Sequence, residues 1–404
     1  MNEIYIGRQP IYDCNLQLFA YELLYRANSE QNAAGDIDHD LATAQVALNA
    51  FLEFGLKNLV GDKLAFINLP RSFVEGDLPL PFPKEHVVLE ILEDIKVDDR
   101  LINSVRRLRS TGCEFALDDF VYHPALRPLI ELCEIIKIDF QALSRAEIQT
   151  HVAELRQYNV KLLAEKLETH EDYGFARDLG FSYFQGYFFC RPRVISGQSL
   201  PPNQLTTMRI LSALQDPEIK IGALSDLVSQ DVTLSFKLLR SLNSAYYALP
   251  KRIESIHHAV VFMGLEQIKR WVTIIALASI PNKPSQLMVV AMTRAKMCEQ
   301  LGESSDNNAK NKLFTVGLFS VLDALLDKNM DKIMNELPLA EDIKVALIRH
   351  EGSMGLILKG VISYEQGLWD DIPIPQSTTS ILASNYLTAV SWADEVAQTF
   401  KGLQ

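Results

Sequence analysis

Up to about residue 195 the chain alternates short apolar runs of strand length with longer amphipathic stretches. The strand-like runs are Phe19–Tyr25, Leu64–Leu69, His86–Leu92, Glu114–Asp118, Glu134–Asp139, Lys161–Ala164 and Tyr183–Phe189. Helical spacing of apolar residues falls between them, as in Asp40–Phe54 and Leu101–Arg109. That rhythm belongs to a parallel sheet with crossover helices, and seven or eight such units suffice to close a (β/α)8 barrel. From Ile195 to Pro202 a Gly/Ser/Pro-rich stretch continues neither pattern. Beyond it helical periodicity takes over, through Leu205–Leu214, Ile221–Val228, Leu234–Leu242, Ser255–Phe262, Leu265–Ala278, Leu287–Leu301, Leu313–Asp327 and Ile343–Leu347. The predicted fold class is α/β: a TIM-like barrel over residues 1–197, followed by a separate all-α domain over residues 198–404. Glu303–Lys312, polar and poor in apolar residues, is expected to be a mobile loop.

The polar residues within the apolar runs stand at or near their C-terminal ends. They are Glu22, Asn68, Glu90, Asp118 with Asp119, Lys137, Glu165 and Gln185. In a (β/α)8 barrel those ends converge on one mouth, where catalytic groups collect. Glu22, Glu90, Asp118, Asp119 and Glu165 bring five negative charges, against which Arg26 and Lys137 set two positive ones. Carboxylates within about 4–6 Å of one another repel unless cations neutralise them, so two divalent ions are implied. Ligands that are carboxylates and an Asn carbonyl suit hard Mg²⁺ or Mn²⁺ rather than zinc, and such a pair of ions clamps the oxygens of a phosphodiester. Arg26 lies on the strand face of Glu22, placed to hold a phosphate by a bidentate bond.

Composition narrows the partners. The 404 residues carry a formal net charge of −12, which speaks against adhesion to nucleic acid or anionic lipid. Val272–Ile280, the longest strongly apolar stretch, is about half the ~20 residues needed to span a bilayer, and reads as a buried helix. The first residues show no secretory pattern, and five scattered cysteines form no CxxC pair, so a reducing, cytoplasmic setting is expected.

Taken in order, these residues resemble the EAL family of cyclic di-GMP phosphodiesterases. Glu22-Leu-Leu-Tyr-Arg26 is similar to the ExLxR signature, and Glu90-Ile-Leu-Glu93 to the E-x-T-E motif. Asp118-Asp119-Phe120 resembles DDFG, Ile136-Lys137-Ile138-Asp139 the lysine strand, Ala164–Thr169 the AEGVET stretch, and Gln185-Gly186-Tyr187 QGY. The resemblance implies that Glu22, Asn68, Glu90, Asp118 and Asp119 carry two Mg²⁺ or Mn²⁺ ions. It implies also that Glu165 and Lys137 position or deprotonate the attacking water, that Arg26 and Gln185 hold substrate, that Glu93 supports the loop, and that the product is pGpG. Four departures stand out: Leu23 for Ala, Leu92 for Thr, Lys166 for Gly, and Val121-Tyr122-His123-Pro124 for the Gly-containing loop after DDF. The altered loop, which supports the Asp pair and dimer contacts in the family, predicts slow turnover and leaves a homodimer among the expected assemblies. Lys166 is expected to point to solvent rather than to pair with Glu165.

The second half resembles the HDOD domain, most clearly over Ser229–Trp271. HDOD modules are similar to HD-type phosphohydrolases without the His-Asp metal dyad. Ser320 and Val321 stand where that dyad would be, so a non-catalytic regulatory module with a protein partner is expected. His257-His258 reads as an ordinary capping pair, and Gly352-Ser-Met-Gly lacks the upstream strand a phosphate cradle needs. Three classes stay open: an active phosphodiesterase; a catalytically silent cyclic di-GMP receptor or scaffold, suggested by the altered loop; and a barrel metalloenzyme of the enolase sort, against which the Arg26 and Gln185 motifs speak.

Overall fold

The computed structural model describes residues 4–27, 55–76, 83–92, 95, 97–192, 202–216, 218–243, 253, 255–302, 306–373 and 381–401. The chain divides into two compact units. The first comprises Met1–Arg191 with Ser363–Asp371 and Thr379–Ala383, and the second holds the remainder. The expected boundary at 197/198, the helix over Asp40–Phe54 and Glu93 lie outside the described residues.

The first unit is a closed barrel of eight strands in chain order: β1 (Ile4–Asp13), β2 (Leu18–Ala27), β3 (Leu64–Asn68), β4 (Val87–Ile91), β5 (Glu114–Leu117), β6 (Ile135–Asp139), β7 (Lys161–Glu165) and β8 (Tyr183–Gln185). Neighbours from β2 to β8 pair in parallel, whereas β1 runs antiparallel to both β2 and β8. That corrects the expectation of a uniformly parallel sheet, and β1 was not among the predicted strands. Its cause is local: Asp13 Oδ1 accepts from the backbone N–H groups of Asn15 and Gln17, and Leu16 takes a left-handed φ of 56°, so the chain reverses within a few residues. No crossover helix intervenes. β8 is also shorter than predicted, giving way to a 3₁₀ turn at Phe188–Cys190.

One residue from each strand meets at the barrel centre: Ile11, Ala20, Phe66, Val88, Ala116, Ile135, Leu163 and Tyr183. Small Ala20 and Ala116 make room for Phe66 and Tyr183, as close packing of a tapered interior demands. Because strand side chains alternate between faces, the residue two positions onward faces the same interior. On β2 to β7 those positions hold Glu22, Asn68, Glu90, Asp118, Lys137 and Glu165, and on β8 Gln185. On the reversed β1 the equivalent step runs backward, from Ile11 to Gln9. The hydrophobic layer thus dictates which polar residues form the layer above it.

The connecting helices carry their own start signals. Asp98 caps Asp99–Ser110 by accepting from the Leu101 N–H (3.0 Å), Ser144 and Glu147 form a capping box on Arg145–Leu155, and Thr169 caps His170–Leu179. Since β8 pairs only with Ile11–Asp13, the first half of β1 has no strand on that edge. The Tyr364 hydroxyl covers part of it, donating to the Ile6 carbonyl (2.9 Å) and accepting from the Ile6 N–H (3.3 Å). Trp369 stacks on Tyr5 at 5.7 Å between ring centroids, and Tyr187 donates to the Glu365 carbonyl. A segment from late in the chain therefore counts with the barrel.

Among the described residues of the second unit the regular elements are all helices. Asp231 and Ser255 cap the helices Val232–Leu242 and Ile256–Met263, and Leu265–Ala278 is buried along most of its length, as its apolar composition predicts. Gly317 lets Asn307–Phe319 approach Ser285–Leu301 so closely that a Cβ would overlap the Ala295 backbone. Two expectations are corrected. The stretch expected to be a mobile loop is helical from Asn307 onward, started by the Asp306 carboxylate, which accepts from the Asn308 N–H (2.9 Å). The predicted helix Leu313–Asp327 breaks at Ser320–Val321 into two pieces. There the Ser320 hydroxyl donates back to the Gly317 carbonyl and accepts from Arg294 Nη1, while Val321 is buried. No helix among the described residues is long and apolar enough to cross a membrane, and all five cysteines are free thiols.

Candidate active site

Lys137, fully buried on β6, is the hub of the polar layer. Its Nζ lies 2.5 Å from Glu90 Oε1, 2.8 Å from Asp118 Oδ1, 2.8 Å from Glu165 Oε1 and 3.4 Å from Glu22 Oε1. Four strands thus deliver carboxylates around one ammonium, leaving three negative charges uncompensated among those five groups. Burial works against the Lys137 charge, but the surrounding carboxylates, Glu165 foremost, outweigh it and hold the ammonium well above its ordinary range. Burial pushes Glu90 and Glu165 well above the usual carboxylate range, with Lys137 offsetting part of the effect.

The layer extends sideways through amides. Gln185 Nε2 donates to Glu22 Oε2 (2.5 Å) and to Gln9 Oε1 (3.0 Å), and Asn68 Nδ2 donates to Glu22 Oε1 (3.3 Å). The Asn68 and Gln185 carbonyl oxygens, and both Glu90 oxygens, are buried with no hydrogen-bond partner among the described residues. The short approach of Lys137 to Glu90 is a charge contact without hydrogen-bond geometry.

Those orphaned oxygens test whether the site fits metal. Ligand atoms of Glu22, Glu90 and Asp118 lie within 4.8 Å of one another, as do those of Asp118, Asp119 and Glu165. Two trios share Asp118, all donors are oxygens, and a buried carbonyl stands unpartnered beside the first. A donor set of that kind fits hard divalent cations, and excess negative charge buried around one ammonium calls for them.

The predicted site residues fall out as follows. Glu22, Asn68, Glu90, Asp118, Lys137, Glu165 and Gln185 form one connected set, which Asp119 joins through Asp118 and Glu165. The backbone of Arg26 pairs with Tyr5 in β1, and its side chain is outside the described ones. Sequence reasoning overlooked Gln9, which belongs to the unrecognised β1. It quoted Asp139 only as part of a motif. Lys166 is exposed over about half of its side chain, as expected, but it is also ion-paired: its Nζ lies 2.6 Å from Asp139 Oδ2 and 3.2 Å from Asp119 Oδ1. Neither of those partners is Glu165. After Asp119, Val121 and Tyr122 adopt no regular structure, and His123 caps the 3₁₀ turn Pro124–Leu126 by accepting from the Ala125 N–H.

Comparison with known proteins gives a consistent picture. The family model for the EAL domain matches residues 2–192, and that for the HDOD domain matches residues 200–337. The uncharacterized protein YuxH of Bacillus subtilis is 34% identical over 376 residues, covering 91% of this chain and 92% of that protein. The cyclic di-GMP phosphodiesterase CdgJ of Vibrio cholerae is 34% identical over 377 residues, covering 92% of this chain and 87% of its own. Among solved structures, the Bacillus subtilis YkuI protein, with an EAL domain and in complex with substrate c-di-GMP and calcium, aligns with a TM-score of 0.37 at 20% identity, covering 56% of this chain and 72% of that one.

Proposed function

The chain belongs to the EAL family, with an HDOD domain following its barrel, and from that premise we propose that it hydrolyses cyclic di-GMP to the linear dinucleotide pGpG. The observation that carries this reading is the pair of carboxylate trios joined at Asp118. Identity of 34% over most of both chains to a named cyclic di-GMP phosphodiesterase supports it. Glu22, Asn68, Glu90, Asp118 and Asp119 hold two divalent cations, Mg²⁺ or Mn²⁺. When bound, these neutralise the phosphodiester and lower the pKa of the attacking water.

The chain's own groups supply the remaining chemistry. Glu165, whose carboxyl burial holds above the ordinary range and which stands beside Asp118 and Asp119, accepts the proton of the attacking water. Lys137, 2.8 Å from Glu165, fixes that carboxylate and keeps its own proton throughout. One phosphodiester P–O bond of the ring gives way to a bond from the water oxygen, and the departing sugar oxygen takes a proton from solvent, to which Glu165 afterwards returns the one it accepted. Gln185, anchored by Gln9, orients Glu22 and faces the substrate, while Arg26 clamps a phosphate. The helical domain serves as a regulatory module that contacts a protein partner. Free thiols support a cytoplasmic setting.

The test is to incubate the purified chain with cyclic di-GMP and Mn²⁺ and separate the nucleotides. Appearance of pGpG is expected. Binding of cyclic di-GMP without any turnover would replace the hydrolytic reading with that of a silent receptor.

A further inference from the structure

Lys166 follows Glu165 directly and adopts a φ of 53°, in the left-handed region that glycine enters freely and a lysine does not. A residue held in that conformation is fixed by its surroundings. Its anchor is Asp139: that carboxylate accepts from the backbone N–H groups of Gln141 (2.6 Å) and Ala142 (3.0 Å) through Oδ1, and takes the Lys166 ammonium at 2.6 Å on Oδ2. So locked, Asp139 holds the ammonium 3.2 Å from Asp119 Oδ1. Asp119 belongs to the outer trio with Asp118 and Glu165, whereas the inner trio of Glu22, Glu90 and Asp118 does not include it. A fixed positive charge thus sits against one of the two cation positions and not the other.

We propose that Lys166 is a positioning residue that makes the two cation positions unequal: its ammonium supplies the charge Asp119 requires, so the inner carboxylates take one divalent ion tightly and the outer position takes a second only by displacing Lys166 from Asp119. The inference rests on the two-cation reading above. Like charges in contact with a shared ligand oxygen oppose one another, and the anchor on Asp139 keeps the lysine from swinging away without cost. The outer ion is therefore the one whose occupancy varies with metal supply.

The experiment is calorimetric titration of the metal-free full-length chain with Mn²⁺, alongside Lys166→Gly, Lys166→Gln and Lys166→Arg. Glycine relieves the backbone conformation, glutamine removes the charge at similar length, and arginine retains it. Wild type should bind one ion tightly and a second at least tenfold more weakly. Lys166→Gly and Lys166→Gln should tighten the second at least tenfold, and Lys166→Arg should keep the wild-type gap. Two equal sites in the wild type, or an unchanged gap in both charge-removing variants, overturn the inference and leave the hydrolytic reading standing. If none of the four proteins binds Mn²⁺, the two-cation reading falls and the inference falls with it.

Discussion

Single side chains at the barrel mouth face opposite demands before and after metal arrives. Lys137 is the only cation touching Glu22, Glu90, Asp118 and Glu165 among the described residues, so Lys137→Met should cost the metal-free protein about 3–5 kcal/mol, the range for unpairing buried charges. Denaturant midpoints with and without Mn²⁺ check this, since the ion should restore much of the loss. Asp118 is shared by both trios, and Asp118→Ala should abolish Mn²⁺ binding and hydrolysis with the far-ultraviolet spectrum unchanged; unaltered Mn²⁺ affinity by titration would refute it. The pH dependence follows from Glu90, whose folded pKa burial raises above its unfolded value. Such a group favours folding fully below the ordinary carboxyl value of about 4.3, and that contribution is lost as pH rises toward the folded value. In chelator, wild type should lose more stability than Glu90→Gln as pH rises above the ordinary carboxyl value of about 4.3, and saturating Mn²⁺ should erase the difference. Most of these residues were legible because each closes an apolar run. The two ion pairs of Lys166 were not legible because Asp139 and Asp119 lie 27 and 47 positions away in sequence.

Among the elements, strands read well where they alternate with helices and poorly where they do not. β1 hides in the sequence because Gly7, Arg8, Gln9 and Pro10 interrupt its apolar run and a tight turn replaces the crossover helix. The loop expected before Leu313 is a helix because Asp306 caps a polar first turn that composition alone cannot tell from coil. Two element-level changes follow. Phe66→Ala empties the central layer of the barrel and should cost about 3–5 kcal/mol, read from the unfolding midpoint. Gly186 takes a φ of 140°, and a Cβ there would overlap the Leu167 backbone, whose N–H donates to the Gln185 carbonyl. Gly186→Ala should therefore displace Gln185 and lower kcat, and an unchanged kcat would show that Gln185 is not needed in place.

At the scale of the whole molecule, the change from barrel to helical region was readable from the change of period near Ile195, while the return of Ser363–Asp371 to the barrel was not, because nothing local in Tyr364 or Trp369 announces a distant strand. That return bears on how the protein is made. The two hydrogen bonds between Ile6 and Tyr364 join positions 358 residues apart. At a ribosomal pace of about 5–20 residues per second, the first strand emerges roughly 20–70 s before the residue that covers its edge. For that interval a nascent chain presents an uncovered strand edge, a hazard for edge-to-edge association that ends only once Tyr364 has been made and can reach Ile6.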